Sequence, residues 1–66
     1  MKDITEDEII FAFRMVAMGA TWEEVVRKIY GEVEMPELLV ELTRERVRHW
    51  YRRQSPQTLQ TLLALR

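Results

Sequence analysis

Sixty-six residues, 47% hydrophobic and 32% charged, describe one small globular domain with a marginal core rather than a disordered tail. The chain has no cysteine, which excludes a disulfide framework and a thiolate metal site. No apolar run approaches the roughly 18 residues of a membrane span, and the acidic opening MKDITEDE is unlike a signal peptide. An intracellular location is expected, the nucleus if the source is eukaryotic. The net charge of −1 conceals an asymmetry: residues 1–42 carry four Lys/Arg against ten Asp/Glu, and residues 43–66 carry six Arg against one Glu. Such a split suits a module with one basic face, or a bundle that pairs its charges internally.

Taken in chain order, Thr5-x-x-Glu8 forms a capping box and predicts a first helix over 6–18. Ile9, Ala12, Phe13, Val16 and Ala17 share one broad apolar face. Phe11, Met15 and Met18 form a second stripe on nearly the opposite side, so this helix needs two packing partners. Gly19 suits the C-terminal cap. Thr21-Trp-Glu-Glu24 is a second capping box, opening a helix to about residue 30 with Trp22, Val25, Val26, Ile29 and Tyr30 on one face and Gly31 at its end. In GEVEMPELLVEL, Pro36 suits the first turn of a short helix over 36–40.

Thr43 then reads as the N-cap of a third main helix over 43–54. Ser55-Pro56 restarts the chain as N-cap and N1 of a last helix carrying Leu59, Leu62 and Leu63 on one side. No strand pattern, repeat or low-complexity linker is present. The expected class is all-α, with a domain at 1–54 and a leucine-rich helix at 55–66. Arg66 falls inside what reads as that helix, so a piece of a longer protein is expected.

The informative stretch is LTRERVRHWYRRQ, residues 42–54. At 100° per residue, Thr43, Val47, Trp50 and Tyr51 fall within about 100° and form a core stripe. Arg46, Arg48, His49, Arg52 and Arg53 occupy the opposite arc, with Glu45 the one acid among them and Arg44 at the boundary. Like charges at Arg44/Arg48 and Arg48/Arg52 repel at i, i+4. That cost makes sense if phosphates supply the missing negative charge. Every basic position is arginine, whose planar fork binds phosphate or guanine O6/N7 with two parallel hydrogen bonds.

LTRERVRHWYRR resembles the third helix of homeodomain-like proteins, where Leu-Thr leads into Val-x-x-Trp-Phe/Tyr and then basic residues. The wider layout is similar to a Myb/SANT domain: a T-x-D-E opening to helix one, Gly19-x-x-Trp22 at helix two, and Trp50 late in helix three, with Ile4, Trp22 and Trp50 in the places of the core residues. The resemblance covers 4–54, about three quarters of the chain. It implies a three-helix homeodomain/Myb-like bundle, here with a long helix 2–3 connection and an added C-terminal helix. The homeodomain-like pattern places asparagine three residues after the tryptophan to contact adenine; Arg53 stands there, so that contact is not carried over. By the same alignment His49, Arg52 and Arg53 would face bases, with Arg46 and Arg48 nearer phosphates, and Arg44 is expected to hold a backbone phosphate beside them.

The expected function is therefore the DNA-binding module of a transcription regulator or chromatin-associated protein, with double-stranded DNA as partner. Two alternatives stay open. SANT domains resemble Myb repeats yet many bind proteins, and the glutamates at 32, 34, 37 and 41 would suit a basic peptide. A homodimer or partner contact through Phe11, Met15, Met18, Leu59, Leu62 and Leu63 is the other, unless the leucine helix covers the Phe11 stripe internally.

Trp22 and Trp50 read as core anchors rather than stacking platforms, since each lies on an apolar stripe. His49 is the sole histidine and lacks companions for a metal site. Glu6-Asp7-Glu8 is explained by the helix dipole without a ligand. With no cysteine, one serine spent on a cap, and no Gly-rich phosphate loop, catalytic residues, metals and cofactors are not expected, and the chain does not read as an enzyme.

Overall fold

Local capping chemistry sets the helix starts in the computed structural model, which describes residues 3–65. Met1, Lys2 and the Arg66 end of the leucine-rich segment lie outside the described residues. The elements are α1 (Glu6–Ala17), α2 (Trp22–Tyr30), α3 (Pro36–Arg52) and α4 (Pro56–Ala64), and the described residues contain no strand. At α1 the Thr5 hydroxyl accepts from the Glu8 backbone N–H while the Glu8 carboxylate accepts from the Thr5 N–H. Thr21 and Glu24 repeat that reciprocal pairing at α2. Two orphan donors are satisfied at each start, as the capping-box spacing predicts.

Glycine ends the first two helices. Gly19 has φ +103°, its N–H donates to the Val16 carbonyl, and the Ala20 N–H reaches back to the Met15 carbonyl. That is the Schellman pattern, with Gly19 just past the Met18 cap. Gly31 has φ +77° and donates to the Arg27 carbonyl. Both are backbone positions that only glycine takes without strain.

The middle of the chain departs from the sequence expectation. A short helix over 36–40 followed by a new helix capped by Thr43 is not formed; α3 is one continuous 17-residue helix beginning at Pro36. The long connection between the second and third helices thereby shrinks to the loop from Gly31 to Met35. Nothing between Leu38 and Arg52 breaks a helix, and Leu, Glu and Arg, all good helix formers, dominate the segment. Leu39, Thr43, Val47 and Trp50 lie on one side and are all buried. Thr43 is fully buried in that row, where an N-cap, which needs extended backbone, cannot sit.

The core forms where α1, α2 and α3 meet. Ala12, Val25 and Val47 make its buried centre, with Ile9, Phe13, Met15, Val16, Ala20, Trp22 and Ile29 packed around them. Phe13 joins α1 to α3 through its ring, 5.3 Å from Trp50 and 5.9 Å from Tyr51 by centroid, at tilted angles favourable for aromatic pairs. Three core expectations need correction. Tyr51 is 48% exposed and lies at the rim, because its direction on α3 is turned further from the bundle centre than that of Trp50. Ala17, at the last turn of α1, is exposed. Met15, read on the outer stripe, is half-buried and reaches the core.

Among the described residues α4 packs against α1 alone and contributes no buried side chain. Ser55 caps it by accepting from the Thr58 N–H, and Leu59 and Leu62 are half-buried while Leu63 remains exposed. At its far end the Arg14 Nη2 donates to the Leu65 carbonyl at 2.6 Å. No helix among the described residues is long and apolar enough to cross a membrane.

Candidate nucleic-acid interface

The basic face is positioned by the apolar face behind it. Trp50 is only 3% exposed and Val47 6%, so the C-terminal half of α3 has a fixed rotation about its axis. That rotation leaves Arg44, Arg46, Arg48, His49, Arg52 and Arg53 all exposed. All six expected contact residues thus lie on the solvent side of one helix, between its middle and its end. Arg53 is the C-cap, and the Gln54 amide donates to the Trp50 carbonyl at 3.1 Å, holding the helix end in shape.

The arginines divide into two flanks. On one side Arg44 and Arg48 share a shallow groove with Trp22, Val47 and Tyr51. Acid reaches this side: Glu41 and Glu45 line an adjoining depression with the same two arginines. Arg48 Nη2 lies 2.8 Å from Glu45 Oε1. On the other side Arg46, His49, Arg52 and Arg53 line a groove with Ile9 of α1 and no carboxylate. Among the described residues Arg44, Arg46, Arg52 and Arg53 form no ion pair. His49 Nε2 sits 3.6 Å from Glu45 Oε2, at the distant end of ion-pair geometry.

This arrangement answers where the acidic 31–42 segment lies. Glu37 and Glu41 belong to the first half of α3 itself, so they are fixed upstream on the same rod and do not fold across its basic half. The helix dipole accounts for part of the charge order, because it favours Glu37 in the first turn and His49 and Arg52 in the last. It does not account for Arg44, Arg46 and Arg48, which sit beyond the reach of either terminus. Arg44 and Arg48 repel each other at i, i+4 with no internal benefit beyond the Glu45 pair.

Sequence reasoning missed two contributors. Ile9 was read only as core, yet it is half-buried and floors the groove beside Arg53. The hand-off of Glu45 to both Arg48 and His49 was legible from i+3 and i+4 spacing. Among the described residues no group of three or more His, Cys, Asp and Glu is placed to hold a metal ion.

Among the described residues the fold is all-α, with four helices, and presents one basic helix side. No family model matches it, and no curated protein or solved structure matches it either.

Proposed function

We propose that the chain is a DNA-binding module of homeodomain-like type, with α1 to α3 as the three-helix unit and α4 as an addition. The C-terminal half of α3 enters the major groove. His49, Arg52 and Arg53 approach base edges, and Arg44, Arg46 and Arg48 hold backbone phosphates. The observation that carries this reading is the flank of Arg46, Arg52 and Arg53, which form no ion pair among the described residues, on a helix whose rotation is locked by Trp50 and Val47. Uncompensated arginines in one row are costly in a free protein and are matched by a row of phosphates. Because Glu37 and Glu41 precede them on the same helix, the acidic half of α3 must leave the groove as the basic half enters it. A module of this kind serves a transcription regulator or a chromatin-associated protein.

The test is a titration of a mixed-sequence duplex followed by fluorescence anisotropy. Arg48 is already paired, so Arg44 and Arg46 are the phosphate contacts left to release counterions and log K should fall with log salt at a slope near about −2. Arg52→Glu with Arg53→Glu should abolish binding. Absence of binding by the wild-type chain at ~50 mM salt overturns the reading.

A second reading, a protein-interaction module for a basic peptide, is favoured by one observation. Met35, the N-cap of α3, and Leu38 and Leu42 on its first half are exposed, with Glu34, Glu37 and Glu41 beside them in the chain. The same double charge reversal discriminates the two, because it leaves that acidic half untouched.

A further inference from the structure

The outer face of α1 carries a groove that the rest of the fold does not fill. Asp7, Ile10, Phe11, Arg14, Met15 and Met18 line it. Asp7, Phe11 and Met18 lie on the side of the helix turned away from buried Ala12, at i, i+4 and i+11. α4 packs on α1 and fastens its end to Arg14, yet it leaves Phe11 41% and Met18 82% exposed. An aromatic ring and a thioether held open to water between charged groups mark an association surface.

The charges at this groove select its occupant. Asp7 and Arg14 lie two turns apart, roughly 10 Å along the helix, and are equidistant from the Ile10–Phe11 pair between them. Asp7 forms no ion pair among the described residues. A second identical helix laid antiparallel about a two-fold axis through Ile10–Phe11 brings each Asp7 opposite the other copy's Arg14 and each Ile10 opposite the other copy's Phe11, while Met15 and Met18 fall at the levels of the other copy's Glu6 and Asp3. A parallel helix would set Asp7 against Asp7 and Arg14 against Arg14. The groove is therefore complementary to itself in one direction only, which is what an isologous interface requires.

We propose that this face of α1 docks a second copy of the chain, antiparallel, with Ile10 and Phe11 at the two-fold axis and two Asp7–Arg14 pairs at its rim. The α3 face is not used, so the proposal stands independently of duplex binding.

Sedimentation equilibrium of the wild-type chain over about two decades of concentration should show a monomer–dimer equilibrium. Phe11→Glu should weaken the dimer by about 100-fold or more, and Phe11→Ala, which removes the half-exposed ring without adding a charge, by about tenfold. Asp7→Arg and Arg14→Asp should each be monomeric alone and form a heterodimer when mixed, since the mixture restores both opposite-charge contacts. A wild-type chain that stays monomeric throughout overturns the proposal. So does a dimer indifferent to both Phe11→Glu and Phe11→Ala, or a charge-swapped mixture that does not associate.

Discussion

Thr43→Val separates two accounts of α3 by the sign of its effect. Thr43 is fully buried and its Oγ1 has no hydrogen-bond partner. Valine has nearly the same shape and the same β-branch, so the substitution keeps the packing against the core and removes an unsatisfied hydroxyl. Burying such a group costs about 1–3 kcal/mol, and part of that should be recovered on its removal. A gain of about 1 kcal/mol raises the Tm of a chain this small by about 4–8 °C. If Thr43 instead capped a separate helix, the same change would remove the cap and cost about 1 kcal/mol, lowering the Tm by a similar amount. Far-UV circular dichroism melts of wild type, Thr43→Val and Thr43→Ser measure the difference. The serine variant keeps the polar group and loses the methyl, so it should melt below wild type. A Thr43→Val protein that melts lower than wild type refutes the continuous, core-facing helix.

Three further outcomes are expected. Glu45→Gln removes the acid that engages Arg48 and His49, so duplex binding should tighten and the salt slope should steepen by about 1; an unchanged slope on anisotropy titration would mean Arg48 makes no phosphate contact. Gly31→Ala should cost about 1–3 kcal/mol in urea denaturation, because φ +77° with ψ −158° is a region that side-chain-bearing residues avoid even where space is open, as it is here. Thr21→Ala and Ser55→Ala remove comparable caps with different reach. The first should lower the global melt, by about 1 kcal/mol of stability, since α2 holds the core residues Val25 and Val26. The second should speed amide exchange in α4 and leave the melt in place, since α4 buries no side chain.

The ends of helices were legible because their chemistry is local. Thr5, Thr21 and Ser55 cap as their spacing implies, and Gly19 and Gly31 terminate as their missing Cβ allows. The exposed arginine side of α3 was legible for a related reason: Val47 and Trp50 define an apolar stripe, and periodicity assigns everything opposite it to solvent. The failure came at Leu42-Thr43. Threonine is a frequent cap, but it is also β-branched and tolerated inside a helix when a core accepts its methyl, and only the tertiary contacts decide between the two. Tyr51 misled for a parallel reason. It lies on the correct arc by projection, yet among the described residues α3 packs only against α1 and α2, and Tyr51 meets Phe13 while staying about half exposed. Leu38 and Leu42 gave no signal at all, since an apolar residue on an outer face looks like any other until its neighbours are placed.

The continuity of α3 changes what the charge asymmetry of the chain means. Read as separate segments, an acidic connection and a basic helix could fold toward each other and cancel. Joined in one helix of roughly 25 Å, they are held apart by the stiffness of the backbone, and the acidic half cannot be brought against Arg52 and Arg53 without breaking the helix. Neutralisation of the basic half is then limited to what i+3 and i+4 neighbours provide, which is Glu45 alone for Arg48 and His49 and Glu41 at the edge of Arg44. The remaining arginines keep their charge toward solvent at every moment the helix is intact. The proposed α1 pairing preserves this, because the stripe that docks the second copy lies on the side of α1 opposite the residues that pack on α3. A dimer built that way carries two uncancelled basic helix faces. Any ligand that engages both must then match the spacing fixed by α1.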